Sequence, residues 1–223
     1  PGQQVNVTEK GIAQWCLDLE KWYFELANRG NVHAQFHIGK IFERDGNYHE
    51  AMNWYLKSAE QGFWLSQEKL ADVFQSGEHG VEQDYSKAMQ WYLRAAAQGS
   101  MMACIEIGRL YEYGYGVEKD YSEAIIWYKK AAKSDYASYA SALMRLLRLL
   151  HKCGKYEEAL EWLAEATKEN PDLCKWVGAY YEQGKGIEKN IDEAMRWYKK
   201  GAQNGSLSSK IFYGQKLFEQ KEY

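Results

Sequence analysis

Residues 84–99, DYSKAMQWYLRAAAQG, and residues 120–135, DYSEAIIWYKKAAKSD, are one pattern written twice, 36 positions apart. Working outward from them, the Trp-Tyr pair recurs at Trp22-Tyr23, Trp54-Tyr55, Trp91-Tyr92, Trp127-Tyr128 and Trp197-Tyr198, with Trp162-Leu163 completing the series. Successive tryptophans lie 32, 37, 36, 35 and 35 residues apart. Alanine keeps the same beat three residues before the Trp, at Ala51, Ala88, Ala124, Ala159 and Ala194. Five residues after it stand Ala27, Ala59, Ala96, Ala132, Thr167 and Ala202. Self-similarity at this period marks an array of supersecondary units and governs every other reading of the chain.

The pattern predicts a helix in each unit. Asn47, Asp84, Asp120 and Asn190 offer side-chain oxygens at its start, and Glu50, Glu123 and Glu193 follow three residues later. Its end falls on Gly30, Gly62, Gly99, Asp135, Asn170 or Gly205, residue types that enter the left-handed region at low cost. Ala, Trp and Ala then form the expected buried stripe, with Trp and Tyr as the mortar between helices. A preceding helix carries a small residue at Gly39, Ala71, Gly108, Gly178 and Gly214, with a large one three further on at Phe42, Phe74, Tyr111, Tyr181 and Leu217. Glycine within a helix costs roughly 1 kcal/mol against alanine, so its recurrence predicts a close approach of two helices. The fourth unit departs, with Leu147 at the small position.

The turn between the two helices has two lengths. It is short in RDGNYHE and KCGKYEE, and longer in SGEHGVEQDY, YGYGVEKDY and QGKGIEKNID. The combined pattern, A-x3-LG-x2-Y…G-x-GV-x2-D-Y-x-x-A-x2-WY-x-x-AA-x-x-G, resembles the Sel1-like repeat, a relative of the tetratricopeptide repeat. Units two, three and five match it well; units one and four are closer to tetratricopeptide repeats. The resemblance implies an all-α fold, a right-handed α/α superhelix of stacked antiparallel helix pairs in a single solenoid domain. It assigns a half-repeat at 11–30, repeats at 32–62, 64–99, 101–135, 136–170 and 172–205, and a further half-repeat at 206–223. Bottom-up physics agrees, because a single helix pair cannot bury its own apolar stripe and stacked neighbours can.

Composition removes several function classes. The 223 residues carry a net charge of −3, with 28 basic against 31 acidic side chains, which lacks the footprint of a nucleic-acid binder. No apolar run approaches the roughly 18 residues of a membrane span, and no basic, then apolar leader opens the chain. Cys16, Cys104, Cys153 and Cys174 supply no pair within a repeat. A reducing compartment, the cytoplasm, is therefore favoured, and a periplasmic or secreted address remains open if the chain is a processed or excised fragment, as its Pro1-Gly2 start allows. Cys104 and Cys174 share one register position and read as buried packing residues. His33 and His37, four apart, lack a third ligand at metal spacing. The glycine-rich turns lack the Lys-Ser/Thr of a phosphate loop, and no nucleophile–base–orienter set is present. No cofactor, metal or catalytic residue is expected.

Function is then expected on the first helices, which line the inner groove in such arrays. Positions three before and one after the small residue vary in type from unit to unit. From these, Phe36, Lys40, Glu68, Asp72, Ile105, Arg109, Met144, Arg148, Lys175 and Ile211 are the candidate groove residues. Apolar anchors beside Arg and Lys suit a protein or extended peptide partner. The resemblance implies the same: an adaptor or scaffold, many of the family being bacterial. A sharper version is an immunity-type inhibitor that clamps a secreted toxin. The alternative from another class is a ligand-binding protein or enzyme with a pocket in the groove. The array ends, where KIFYGQKLF is aromatic-rich, offer a route to homo-oligomers.

Overall fold

A computed structural model describes residues 9–78, 80–133, 138–184 and 187–221, with side chains over 18–78, 80–133, 140–184 and 187–219. The described residues are helical and include no strand. They divide into two compact units, Pro1–Trp127 and Tyr128–Tyr223. The first holds α1 (Glu9–Asn28), α2 (Val32–Arg44), α3 (Tyr48–Glu60), α4 (Trp64–Ser76), α5 (Tyr85–Ala97), α6 (Met101–Tyr113) and most of α7 (Tyr121–Ala131). The second holds α8 (Ser138–Lys152), α9 (Tyr156–Ala166), a 3₁₀ turn (Pro171–Leu173), α10 (Cys174–Gln183), α11 (Ile191–Gln203) and α12 (Leu207–Lys221). Within the first, α1 to α6 pack each on the next; within the second, α8 to α12 do so.

The helix boundaries follow local chemistry. Asn47 Oδ1, Asp84 Oδ1, Asp120 Oδ1 and Asn190 Oδ1 each accept the backbone N–H three residues on, satisfying one of the orphan donors of the first turn. Gly30, Gly62, Gly99 and Gly205 leave the second helices with φ of 89°, 95°, 91° and 94°, the region where a side chain is strained. Asn170 departs from this expectation. Its φ is −133°, and its side chain caps the 3₁₀ turn by accepting from Asp172 N. Asp135 and Cys16 lie outside the residues whose side chains are described.

The core corrects one expectation. The fully buried aromatics are the tyrosines of the pair: Tyr55, Tyr92, Tyr128 and Tyr198 are at most 1% exposed. Trp54 is buried as well, but Trp91, Trp127, Trp162 and Trp197 are half-buried and Trp22 is 52% exposed. The reason is helical phase. Residues four apart share a face, and the alanines sit four before and four after the Tyr, as in Ala51-Tyr55-Ala59 and Ala88-Tyr92-Ala96, so the Trp falls off the stripe. Three of the tryptophans, the buried Trp54 included, carry a cation three residues on: Lys57, Arg94 and Lys200 lie 4.2, 4.5 and 4.2 Å from the ring centroids of Trp54, Trp91 and Trp197.

The tyrosine explains the small residue. A Cβ on Gly39 would stand 2.5 Å from the Tyr55 ring, and one on Gly178 would overlap the Tyr198 ring. A buried hydroxyl needs an acceptor, and those of Tyr55, Tyr92 and Tyr198 find a carboxylate on the first helix. Tyr55 Oη donates to Glu43 (2.7 Å), Tyr92 Oη to Asp72 (2.6 Å) and Tyr198 Oη to Glu182 (2.7 Å). Burial, and then the adjoining carboxylate, pushes all three phenols up, so the hydroxyl remains the donor.

The two turn lengths end alike. The N–H that starts each second helix donates to the carbonyl of the residue three beyond the small position. The pairs are Asn47 to Phe42, Asp84 to Phe74, Asp120 to Tyr111, Lys155 to Leu150 and Asn190 to Tyr181, at 2.8–3.0 Å. This bond fixes the register of the fourth repeat, with Leu147 at the small position. The longer turns leave the helix through Gly77, Gly114 and Gly184 in the left-handed region, with Gln83, Lys119 and Lys189 packed where a side chain would be. His79, Lys185 and Gly186 in these turns lie outside the described residues.

Candidate functional site

Among the described residues, each unit offers a candidate site to which first helices contribute most of the lining. In the first unit, α4 and α6 enclose a polar cavity of 350 Å³ lined by Lys69, Asp72, Gln75, Glu78, Glu106 and Arg109 among others. Most of its groups are tied to a neighbour. Arg109 Nη1 lies 2.7 Å from Glu106 Oε2, which also accepts from Gln75 (3.1 Å), and Lys69 Nζ reaches Glu43 at 2.6 Å. Glu43 and Asp72 already serve the two tyrosine hydroxyls. Desolvation pushes the Asp72 carboxyl above its ordinary range, against the pull of the Tyr92 hydroxyl. Desolvation does the same to Glu68, which accepts from Ser100.

The second unit holds an apolar cavity of 570 Å³ between α8, α9, the 3₁₀ turn and α10. Met144, Leu147, Leu163, Leu173, Trp176 and Tyr180 supply its apolar wall, and Arg148, His151 and Lys152 its polar edge. Met144 and Trp176 are 62% and 55% exposed. Tyr180 Oη and His151 Nδ1 are 2.8 Å apart, and the His151 ring meets Tyr156 edge-on at 4.8 Å. Lys175 Nζ lies 5.3 Å from the Trp176 ring centroid.

The sequence itself opens this cavity. In repeat one, Gly39 and Tyr55, 16 residues apart, lock the two helices together. The corresponding positions of repeat four, also 16 apart, are Leu147 and Leu163, and both line the cavity. Two leucines replace a glycine under a tyrosine, so the ring and hydroxyl that Tyr55 supplies in repeat one have no counterpart at Leu163. His151 stands at the position of Glu43 and is met by Tyr180 from the next helix.

The candidate groove residues distribute unevenly. Asp72 and Arg109 share the polar cavity, with Glu68 one turn before Asp72 on α4. Met144 and Arg148 share the apolar one, and Lys175 stands over Trp176 beside it. Lys40 is exposed and its ammonium lies 5.9 Å from the Phe36 ring. Phe36 packs inward against Tyr55 and Phe63. Ile105 is 2% exposed, because α6 is buried almost all round, and it is not available to a partner. Ile211 is exposed on α12 and lines neither cavity. Trp176, Tyr180 and His151 were not among the expected residues. The signal that could have found them is the coincidence of Leu147 and Leu163 in one repeat.

Other sequence features take structural places. Cys104 and Cys174 are buried, and Cys153 is an exposed thiol. His33 packs against Phe63, and His37 against Tyr23. Among the described residues no three His, Cys, Asp or Glu side chains gather as metal ligands, and no helix is long and apolar enough to cross a membrane.

Similarity to known proteins agrees with this architecture. The tetratricopeptide repeat matches residues 140–173, the repeat with the leucine pair. A Sel1 repeat protein from Oxalobacter formigenes is 27% identical in a solved structure with a TM-score of 0.68, covering 83% of this chain and 55% of that one. The protective antigen c5321 of uropathogenic Escherichia coli, which displays an SLR fold, is 27% identical with a TM-score of 0.49, covering 90% of this chain and 52% of that one. The chain thus spans about half the length of these two structures. A sel1-like repeat-containing protein of Acanthamoeba polyphaga mimivirus is 34% identical over 53 residues, 24% of this chain and 10% of that protein. Repeats of this kind generally mediate protein–protein interaction. The Sel1 repeat matches residues 32–63, 64–100, 102–136 and 172–206. Residues 32–63, whose short turn is closer to the tetratricopeptide pattern, are thus included, and with four repeats over more than half its length the chain belongs to the Sel1 repeat family.

Proposed function

We propose that this chain is a non-catalytic scaffold that holds a partner protein, or an extended segment of one, against its first helices. One observation carries the reading. Met144 and Trp176 leave large apolar surface in water beside Arg148 and Lys152, at the mouth of a cavity the repeat pattern elsewhere closes. Exposed aromatic, Met and Arg side chains around a desolvated centre are what binding interfaces favour. The polar cavity of the first unit supports the same reading less strongly, since its charges largely serve one another.

Photo-crosslinking tests it. Benzoylphenylalanine placed at Met144 or Asp72 should crosslink one and the same protein from the native cell extract, whereas the exposed second-helix position Leu93 should not. Crosslinking from Leu93 alone would move the interface to the opposite helices and reject the proposal.

A further inference from the structure

We infer that α12 is a homodimer seam, along which two copies of this chain pair antiparallel about a two-fold axis at the level of Phe212 and Tyr213. The inference is independent of the scaffold reading, which concerns the cavities. Spacing marks the face. Leu207, Ile211, Gly214 and Phe218 stand at i, i+4, i+7 and i+11, the seam along which one helix packs on another. The three large residues are 70%, 52% and 65% exposed. Gly214 is exposed too, with nothing among the described residues within 4 Å of where a Cβ would stand. The opposite side of α12 is committed to its own unit. Ser209 is buried, Phe212 stacks on Tyr198 with ring centroids 5.7 Å apart, and Lys216 reaches Glu182 at 2.7 Å.

The pattern selects a second copy as the occupant, because the stripe reversed about its midpoint complements itself. Ile211 falls opposite Gly214 of the second copy, a branched side chain against the one gap in the stripe, and Leu207 falls opposite Phe218 of the second copy. Each contact occurs twice, as a two-fold interface requires. At the edge of the seam Lys210 faces the neutral amide of Gln215. A tyrosine-bearing helix, which covers the glycine in repeats one and five, fits this face less well. Tyr55 and Tyr198 donate to Glu43 and Glu182, four residues beyond the glycine that each ring covers, and α12 carries Phe218 at that place. The seam is one helix wide, which puts the dimer among weak complexes, with a Kd on the order of 10 μM.

Sedimentation equilibrium of the full chain between about 1 and about 300 μM tests this. The data should fit a monomer–dimer equilibrium that stops at twice 26.0 kDa. Gly214→Leu fills the notch from open space, so it should leave the thermal midpoint unchanged or higher and yet raise the dimer Kd at least about tenfold. Ile211→Lys, at an exposed position, should raise the Kd as much. Pairing is read with a short bis-maleimide after Cys16 and Cys153 are changed to Ser. Leu207→Cys mixed with Phe218→Cys should link into a dimer, and neither variant should link to itself. A single 26.0 kDa species at every concentration, masses that climb past the dimer, or self-linking of either cysteine variant would overturn the two-fold seam. Dimers undiminished in both Gly214→Leu and Ile211→Lys would move the contact off α12 and overturn it as well. None of these results bears on crosslinking from Met144, so the scaffold reading stands or falls separately.

Discussion

The first and fourth repeats have turns of the same short class and the same 16-residue spacing between interlocking positions, yet they use that spacing in opposite ways. In repeat one, Gly39 admits the Tyr55 ring, Tyr55 donates to Glu43, and Lys69 closes the chain of contacts from the next first helix. In repeat four, Leu147 and Leu163 share an open cavity, and His151 is met from the next helix by Tyr180. The difference teaches that polar and apolar groups on the first helices are not equally free. Where the tyrosine is present, its hydroxyl recruits a carboxylate and the carboxylate recruits cations. Where it is absent, the same surface becomes available to something else.

The largest expected effect breaks the interlock. Tyr92→Ala removes a fully buried ring and leaves Asp72 without its donor, and should cost roughly 3–5 kcal/mol in thermal or denaturant unfolding. Leu163→Ala borders an existing cavity and should cost less, about 2 kcal/mol. Equal losses would show that the fourth repeat is locked as tightly as the others and that its cavity is incidental.

Charge reversal sharpens the contrast at smaller scale. Arg109→Glu places a third acid beside Glu106 and Asp72 and breaks a part-buried pair. A loss of about 1 kcal/mol is expected, seen as a fall of a few degrees in the midpoint. Arg148→Glu, on the exposed edge of the apolar cavity, should move the midpoint less and partner affinity more. A larger stability loss for Arg148→Glu would reverse this order.

The smallest effect concerns pH. The folded chain holds the Asp72 proton more tightly than the unfolded chain does, because desolvation disfavours the carboxylate. This group therefore stabilises the fold progressively as the pH falls from neutrality toward the ordinary carboxylate range, and the benefit is lost as the pH rises through its raised value. Asp72→Asn keeps an acceptor for Tyr92 without the charge. It should raise the midpoint at pH 7 only slightly, because Asp72 is exposed and water screens its charge, and the gap should close as the pH falls toward the ordinary carboxylate range. A lower midpoint at pH 7 would show that Asp72 is favourable as an anion.

Much of this architecture is legible in the sequence, for reasons that differ by residue. The caps at Asn47, Asp84, Asp120 and Asn190 and the exits at Gly30, Gly62, Gly99 and Gly205 are local chemistry, readable within one turn of helix. The buried stripe is also written there, but only the four-residue spacing of Ala and Tyr reveals that the tryptophan lies off it. The site is harder to read. Ile105 varies in type from its counterparts and is buried nonetheless, because exposure at that offset depends on how completely its own helix is covered. Trp176 and Tyr180 acquire meaning only from two leucines on other helices, a juxtaposition that no single segment contains.

The backbone bond that starts every second helix has a practical corollary. Since Asp120 returns to Tyr111 as Asn47 returns to Phe42, the number of intervening residues is uncoupled from the phase of the succeeding helix. Connectors of this molecule are therefore natural splice points, where epitopes or tags could be grafted while the flanking rods stay in step.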